Sequence, residues 1–246
     1  MICSCASSPT GPISSIRTTM ADVHPVTHVI FDLDGLLLDT ERMYFEVREK
    51  LCKKYKKEYT LEFHADTSGV RGLEACELIV SKLQLPLTAE EFYNQSKELY
   101  QKEFPSAILK PGAERLIRHL HSHKIPMAVA TSSSRGHIEL KFTNHQDLFS
   151  LMDHVVSGTS DEEVKNGKPA PDIFLVCASK FQDSPLPEKV LVFEDAPNGV
   201  LAARAAGMQV VMVPEDHIPE EKRSQATLVL PSLEVFQPEL FGLPPF

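Results

Sequence analysis

The stretch Val29-Ile30-Phe31-Asp32-Leu33-Asp34-Gly35-Leu36-Leu37-Leu38-Asp39-Thr40 decides how the chain is organised. An apolar run ends in two carboxylates one residue apart, and a glycine follows at once. A buried strand has no packing reason to finish on charged groups. On an extended segment Asp32 and Asp34 sit at i and i+2 and point to the same side. Carboxylates held that close either repel or share a cation, and sharing costs less. Gly35 allows a sharp turn just past them. Alone, the stretch also reads as a strand end running into a polar loop, so the rest of the chain must decide.

Outward from this point the texture is first helical. Met43, Val47, Leu51 and Tyr55 recur at helical spacing over 41–57, opposite a solvated face that carries Lys53, Lys54, Lys56 and Lys57. A second helix is expected over 73–83, through Ala75, Cys76, Ile79 and Val80. A third is expected from Thr88 to about 104, with Thr88 and Glu91 forming a capping box ahead of Phe92. Past Pro111-Gly112 strands and helices alternate. A helix with Ala113, Leu116, Ile117 and Leu120 on one face precedes an apolar run at 125–130, and Thr131-Ser132-Ser133-Ser134 follows. Strands are expected at 154–157, 190–193, 208–213 and 227–230. Helices are expected at 172–181 and at 197–206, the latter stopped by Gly207, and Ser232 caps a last short helix. This alternation predicts an α/β fold, a Rossmann-like parallel sheet core, from 25–40 and 110–246, with an inserted all-helical cap domain at 41–109.

Composition narrows the function. The net charge of −9 excludes a nucleic acid polymer as main partner, since phosphate backbones select basic faces. A small phosphorylated metabolite needs only a local positive site. Five scattered cysteines without a C-x-x-C pair fit reduced thiols in the cytoplasm. No apolar run approaches a membrane span of about 20 residues. Residues 1–24, rich in Ser, Thr and Pro with Arg17 as their one basic residue, are expected to be a disordered extension. One arginine is thin support for a transit peptide, and Met20 offers an alternative start. A monomer is expected.

In an open parallel sheet the ligand crevice lies outside the carboxyl ends of the strands. The first strand delivers Asp32 and Asp34 there, the run at 125–130 delivers Thr131 and Ser132, and the strand at 190–193 delivers Glu194 and Asp195. Lys168-Pro169 precedes a core helix. Acids, a hydroxyl and an amine thus converge on one edge. The series His119, His121, His123 falls at a helix C-terminus, where imidazoles suit the dipole, and is assigned no metal.

These motifs resemble, in order, the four motifs of the haloacid dehalogenase-like hydrolases. Asp32-Leu33-Asp34-Gly35 is similar to the first, Thr131 to the second, Lys168 in Gly167-Lys168-Pro169-Ala170-Pro171-Asp172 to the third, and Glu194-Asp195 to the fourth. The insertion after the first motif resembles the helical cap of the β-phosphoglucomutase-like branch. The resemblance implies an Asp32 nucleophile that forms an aspartyl-phosphate and an Asp34 general acid and base. It implies Mg²⁺ held by Asp32, the Asp34 carbonyl, Asp195 and Glu194, the last directly or through water. Thr131 and Ser132 would contact the phosphoryl group, and Lys168 would offset negative charge.

The expected activity is hydrolysis of a small phosphate monoester in nucleotide metabolism, with pseudouridine 5′-phosphate first among the substrates and glycerol or other sugar phosphates next. A phosphomutase is the alternative within the branch. The mutases carry a histidine in the first cap helix that helps hold off water, and Tyr44 stands at that place here. Their cap arginine falls at Gly72, with Arg71 beside it as a candidate substrate ligand. Relatives carry a Met-Gly-Lys-Lys-like cap loop where this chain reads Thr67-Ser68-Gly69-Val70-Arg71-Gly72. A non-catalytic binding protein on the same fold would be expected to have lost Asp32, Asp34, Lys168 or Asp195, and all four are present.

Overall fold

A computed structural model describes residues 23–246, so the expected extension at 1–24 falls, except for its last two residues, outside the described residues. His24 is tied to the core on both sides of its backbone. Its N–H donates to Gln209 Oε1 at 2.8 Å, and its carbonyl accepts from Gln209 Nε2 at 2.9 Å.

The elements follow as β1 (His28–Phe31), α1 (Glu41–Lys54), α2 (Leu61–Thr67), α3 (Gly72–Leu83), α4 (Ala89–Glu103), α5 (Ala113–Ser122), β2 (Met127–Thr131), α6 (Arg135–Phe142), α7 (Gln146–Phe149) and β3 (His154–Ser157). They continue as α8 (Asp172–Ser179), β4 (Val190–Glu194), α9 (Pro197–Ala205), β5 (Gln209–Met212), α10 (Glu220–Arg223) and β6 (Leu228–Val229). The strands form one parallel sheet in the order β3-β2-β1-β4-β5-β6. This is the order of a doubly wound sheet, whose direction of winding reverses at β1.

Alternation along the strands splits the core into two layers. Val29 and Phe31 of β1 join Leu191 and Phe193 of β4 on the face covered by α5 and α7. Ile30 joins Val190 and Val192 on the opposite face, with Phe174 and Cys177 of α8 and Val200 and Ala203 of α9. All of these strand residues are fully buried, which is why the strands read as continuous apolar runs.

The cap has a core of its own. Met43, Val47 and Leu51 of α1 pack with Cys76 and Ile79 of α3, Phe92 and Tyr100 of α4, and Phe104. The capping box at α4 is made in both directions, Thr88 N–H to Glu91 Oε2 at 2.8 Å and Glu91 N–H to Thr88 Oγ1 at 3.1 Å. Four cap helices stand where three are expected. The additional α2 is capped by Thr60, whose Oγ1 accepts from Phe63 N–H at 3.2 Å. Seven residues of mixed polarity give α2 no clear apolar periodicity.

The first strand ends at Phe31, before the two carboxylates, because the chain turns immediately. Asp32 N–H still reaches the Phe193 carbonyl at 2.9 Å, but Leu37 and Leu38 N–H both return to the Leu33 carbonyl, at 3.1 and 3.0 Å. The two connections to the cap then run side by side. Asp39 N–H donates to the Ile108 carbonyl and Lys110 N–H to the Leu37 carbonyl, both at 2.9 Å, across an antiparallel bridge between Leu38 and Leu109.

Three core helices, α6, α7 and α10, escape the sequence reading. The buried face of α6 carries His137, Ile138 and Lys141, so its inward side is largely polar and yields no apolar stripe. The carboxyl edge of the sheet, where β1 and β4 meet, faces the cap.

Candidate active site

Asp32 is placed by the end of β1, and Glu194 and Asp195 by the end of the adjacent β4. Carboxylate oxygens of these three residues lie within 4.8 Å of one another, and all three side chains are buried. Lys168, 3% exposed, is aimed at them: its Nζ donates to Asp32 Oδ1 at 2.6 Å and to Glu194 Oε1 at 2.5 Å. The other oxygen of Glu194 accepts the backbone N–H groups of Asp195 at 3.0 Å and Ala196 at 3.1 Å. Glu194 thus anchors Lys168 through one oxygen and the start of the following loop through the other.

Close approach requires two glycines. A Cβ built at Gly199 would collide with the Glu194 carboxylate, and one at Gly35 would collide with that of Asp195. Gly35 also holds φ +80°, a conformation that L side chains rarely adopt.

One cation serves three buried carboxylates, and the imbalance shows in their titration. Burial pushes the Asp32 carboxyl up to about 7; Lys168 opposes this, while Glu194 and Asp34 add to it. Burial and then Glu194 hold Asp195 well above the usual carboxylate range, with Glu41 and Asp32 contributing further. Burial works against the Lys168 ammonium, yet Asp32 and Glu194 outweigh it and lift Lys168 above its ordinary value. A divalent cation would supply the missing charge. The buried oxygens of Asp32 and Asp195 suit a hard cation such as Mg²⁺, which is bound by one or two carboxylates and otherwise by water and phosphate.

Asp34 sits in different company. Its Oδ1 accepts from Thr40 Oγ1 at 2.6 Å and from Lys141 Nζ, and its Oδ2 accepts from Ser133 Oγ at 2.8 Å and Thr131 Oγ1 at 3.2 Å. Burial alone would raise its carboxyl, but the Lys141 cation and these donors hold it below the usual range. Asp32 and Asp34 are thus driven in opposite directions, with Asp32 favouring the acid and Asp34 the anion, so Asp32 needs positive charge beside it before it can act as an anion.

The cap closes over this group. Asp32, Asp34, Tyr44, Ser68, Tyr93 and Thr131 are among the residues that line a cavity of about 50 Å³ between cap and core. The loop that joins α2 and α3 makes the closing contacts. Ser132 Oγ donates to the Gly69 carbonyl at 2.8 Å, and Asn198 Nδ2 donates to the Ser68 carbonyl at 3.2 Å. Arg71 donates to the carbonyls of Val164 at 2.8 Å and Lys165 at 3.2 Å. At its base, Glu41 accepts from Ser68 Oγ at 2.8 Å and lies 3.0 Å from His64 Nε2.

Of the residues singled out in the sequence, the structure brings Asp32, Asp34, Thr131, Lys168, Glu194 and Asp195 to one edge of the sheet. Ser132 lines the same cavity but spends its hydroxyl on the cap loop. Arg71 is placed otherwise than expected: its guanidinium latches cap to core instead of opening on the cavity. His119 donates from Nε2 to the Pro244 carbonyl at 2.8 Å, a structural role for the histidine series. Sequence reasoning missed Lys141, Ser133 and Thr40. Thr40 and Ser133 stand beside quoted motifs and were within reach; Lys141 lies on the unrecognised α6.

The haloacid dehalogenase-like hydrolase family matches residues 29–213. A "Probable pseudouridine-5′-phosphatase" of Drosophila melanogaster is 51% identical over 221 residues, covering 90% of this chain and 96% of the relative. The "(DL)-glycerol-3-phosphatase 1, mitochondrial" of Arabidopsis thaliana is 48% identical over 236 residues, covering 95% of this chain and 79% of the relative. Among solved structures, a β-phosphoglucomutase of Clostridium difficile superposes with a TM-score of 0.72 at 24% identity, covering 87% of this chain and 94% of that one. With the family match spanning the core strands and the inserted cap, the chain belongs to the haloacid dehalogenase-like hydrolases.

Proposed function

We propose that the protein is a Mg²⁺-dependent phosphatase of small phosphate monoesters that works through an aspartyl-phosphate on Asp32. The observation that carries this reading is the convergence at the carboxyl edge of the sheet of Asp32, Glu194 and Asp195 around Lys168, with Asp34 and Thr131 lining the same cavity as Asp32.

Asp32 attacks phosphorus through a carboxylate oxygen, and the ester P–O bond breaks as the new bond forms. Asp34 enters this step as the carboxylic acid, a form that an anionic phosphate beside it favours, and passes its proton to the leaving oxygen. Asp34, now anionic, removes a proton from water, whose oxygen attacks the phosphoryl group and releases phosphate and free Asp32. Thr131 orients the phosphoryl group with its hydroxyl, and Lys168 offsets negative charge as it accumulates. Asp32, Asp195 and the Asp34 carbonyl would hold Mg²⁺, with Glu194 acting through Lys168 or water. When bound, the ion supplies positive charge for the phosphoryl oxygens, so that an anionic nucleophile can meet an anionic substrate.

For the substrate we propose pseudouridine 5′-phosphate, supported by 51% identity to the Drosophila relative of that name. Glycerol phosphate is the second reading, supported by 48% identity to the Arabidopsis relative named as a glycerol-3-phosphatase. The mutase reading is disfavoured because Tyr44, at the place of the shielding histidine, turns its hydroxyl to Ser133 and Lys141. A cytoplasmic monomer is proposed; no helix among the described residues is long and apolar enough to cross a membrane.

Phosphate release should be measured with Mg²⁺ over pseudouridine 5′-phosphate, other nucleoside monophosphates, glycerol phosphates and hexose phosphates. Fastest release from pseudouridine 5′-phosphate supports the first choice, and fastest release from glycerol phosphate supports the second. Isomerisation of β-glucose 1-phosphate faster than any hydrolysis overturns the phosphatase reading.

A further inference from the structure

Lys141 is 1% exposed and lies on a helix that bears none of the family motifs. Burying an ammonium is costly unless each of its protons is met. Here the three donors of Nζ have three acceptors: the Asp34 carboxylate, Ser133 Oγ at 2.7 Å and Tyr44 OH at 2.9 Å. The remaining faces are closed by aromatic rings, Phe104 with its centroid at 4.4 Å and Tyr44 at 5.0 Å. With no N–H to spare, Lys141 is not arranged to bind a substrate phosphate.

Its neighbours have a common origin. Tyr44 opens the first cap helix, and Phe104 follows the last, so the cation sits against both connections of the cap. Ser133 and Asp34 belong to the core. The ammonium therefore joins the cap to one core carboxylate, through Tyr44, whose hydroxyl also lies 3.2 Å from Ser133 Oγ.

We propose that Lys141 is a positioning residue for the general acid and base, fixing the orientation of the Asp34 carboxyl only when Tyr44 and Phe104 bring the cap onto the core. The proposal rests on the phosphatase reading above. It gives the cap a chemical duty besides closing the cavity: Tyr44 and Phe104 complete the surroundings of an ammonium that, with Thr40, Thr131 and Ser133, holds the Asp34 carboxyl.

The test uses leaving groups that differ in their need for a proton. Glycerol 3-phosphate and p-nitrophenyl phosphate are compared by kcat/KM, which reports steps through transfer to Asp32 and excludes later hydrolysis. An alkoxide must be protonated as it leaves, whereas p-nitrophenolate leaves without help. Lys141→Met should lower kcat/KM for glycerol 3-phosphate by about 10²-fold or more, the range contributed by a positioned acid, and leave p-nitrophenyl phosphate far less affected. Tyr44→Phe, which keeps the ring and removes the hydroxyl, should change the ratio in the same direction by a smaller factor. Thermal unfolding of both variants establishes that they fold.

Equal losses on the two esters overturn the proposal, since a damaged fold or a lost phosphate ligand lowers both together. An unchanged ratio in Tyr44→Phe removes the link to the cap. A wild-type protein that releases phosphate from no ester of the panel above, pseudouridine 5′-phosphate included, removes the phosphatase reading and this inference with it, while active wild type with an unaltered ratio in Lys141→Met removes the inference alone.

Discussion

Lys168→Met tests the electrostatic design of the site without touching the proposed nucleophile. Among the described residues Lys168 is the one cation within hydrogen-bond distance of Asp32 and Glu194, at 2.6 and 2.5 Å, and methionine fills a similar volume. The substitution leaves Asp32, Glu194 and Asp195 buried together with no ammonium among them. Breaking a buried ion pair from one side costs about 3–5 kcal/mol. For a chain of this length that lowers Tm by about 6–20 °C. The deficit is largest where the carboxylates are charged, so it should be greater at about pH 8 than at about pH 5, and Mg²⁺ should recover part of it by restoring positive charge. Thermal unfolding of wild type and variant, in EDTA and in Mg²⁺, at both pH values, gives the four comparisons needed. A variant as stable as wild type in EDTA at about pH 8, or one equally destabilised at both pH values, refutes the reasoning.

The same imbalance makes metal stabilisation pH-dependent in the wild type. With its carboxyl raised from 3.8 to about 7, folded Asp32 keeps a proton that the unfolded chain has released. Its contribution to stability is present below about pH 4 and lost as pH rises through about 7, and Mg²⁺ should therefore raise Tm more at about pH 8 than at about pH 5; an equal or larger gain in acid contradicts this. Gly199→Ala adds a better helix former in α9, which alone would stabilise by about 1 kcal/mol, but its Cβ meets the Glu194 carboxylate. Overpacking of about 1–3 kcal/mol should dominate, so a calorimetric gain in stability would sink the close-approach account. Arg71→Ala removes the latch to Val164 and Lys165, bonds from a charged donor worth about 1.5–3 kcal/mol. It should lower kcat/KM about tenfold with little change in Tm, whereas unchanged kcat/KM would deny the latch a part in closure.

The edge of the sheet was legible in the sequence because each strand announces its own end. Apolar residues buried on both faces run into Asp32, Thr131 and Glu194, and three such polar ends at one edge of the sheet point to a site. Short-range chemistry was equally readable: Thr88 with Glu91 caps α4, and the Ser232 hydroxyl accepts the Glu234 N–H at 3.1 Å. What depends on the third dimension was not. Lys141 is hidden because α6 turns a lysine and a histidine inward, and their partners come from segments distant in sequence. Arg71 looked like a substrate ligand because an arginine beside a cavity suits an anion, yet the nearest acceptors are backbone carbonyls of the core. Glu194 reads in the sequence as helping to hold a metal directly or through water, and its bonds to Lys168 and to the Asp195 and Ala196 N–H groups are partners that the sequence does not reveal. Charge and spacing in a sequence identify which residues meet; they do not reveal which partner each one keeps.

The central claim is that the phosphoryl group passes through Asp32. Acid-quenching the enzyme during turnover with Mg²⁺ and a good substrate, followed by peptide mass analysis, tests it directly. The account predicts a phosphoryl group on the peptide that carries Asp32, and neither the adduct nor turnover in a folded Asp32→Asn protein. Undiminished turnover by Asp32→Asn, or a phosphoryl group trapped on another residue, would contradict it.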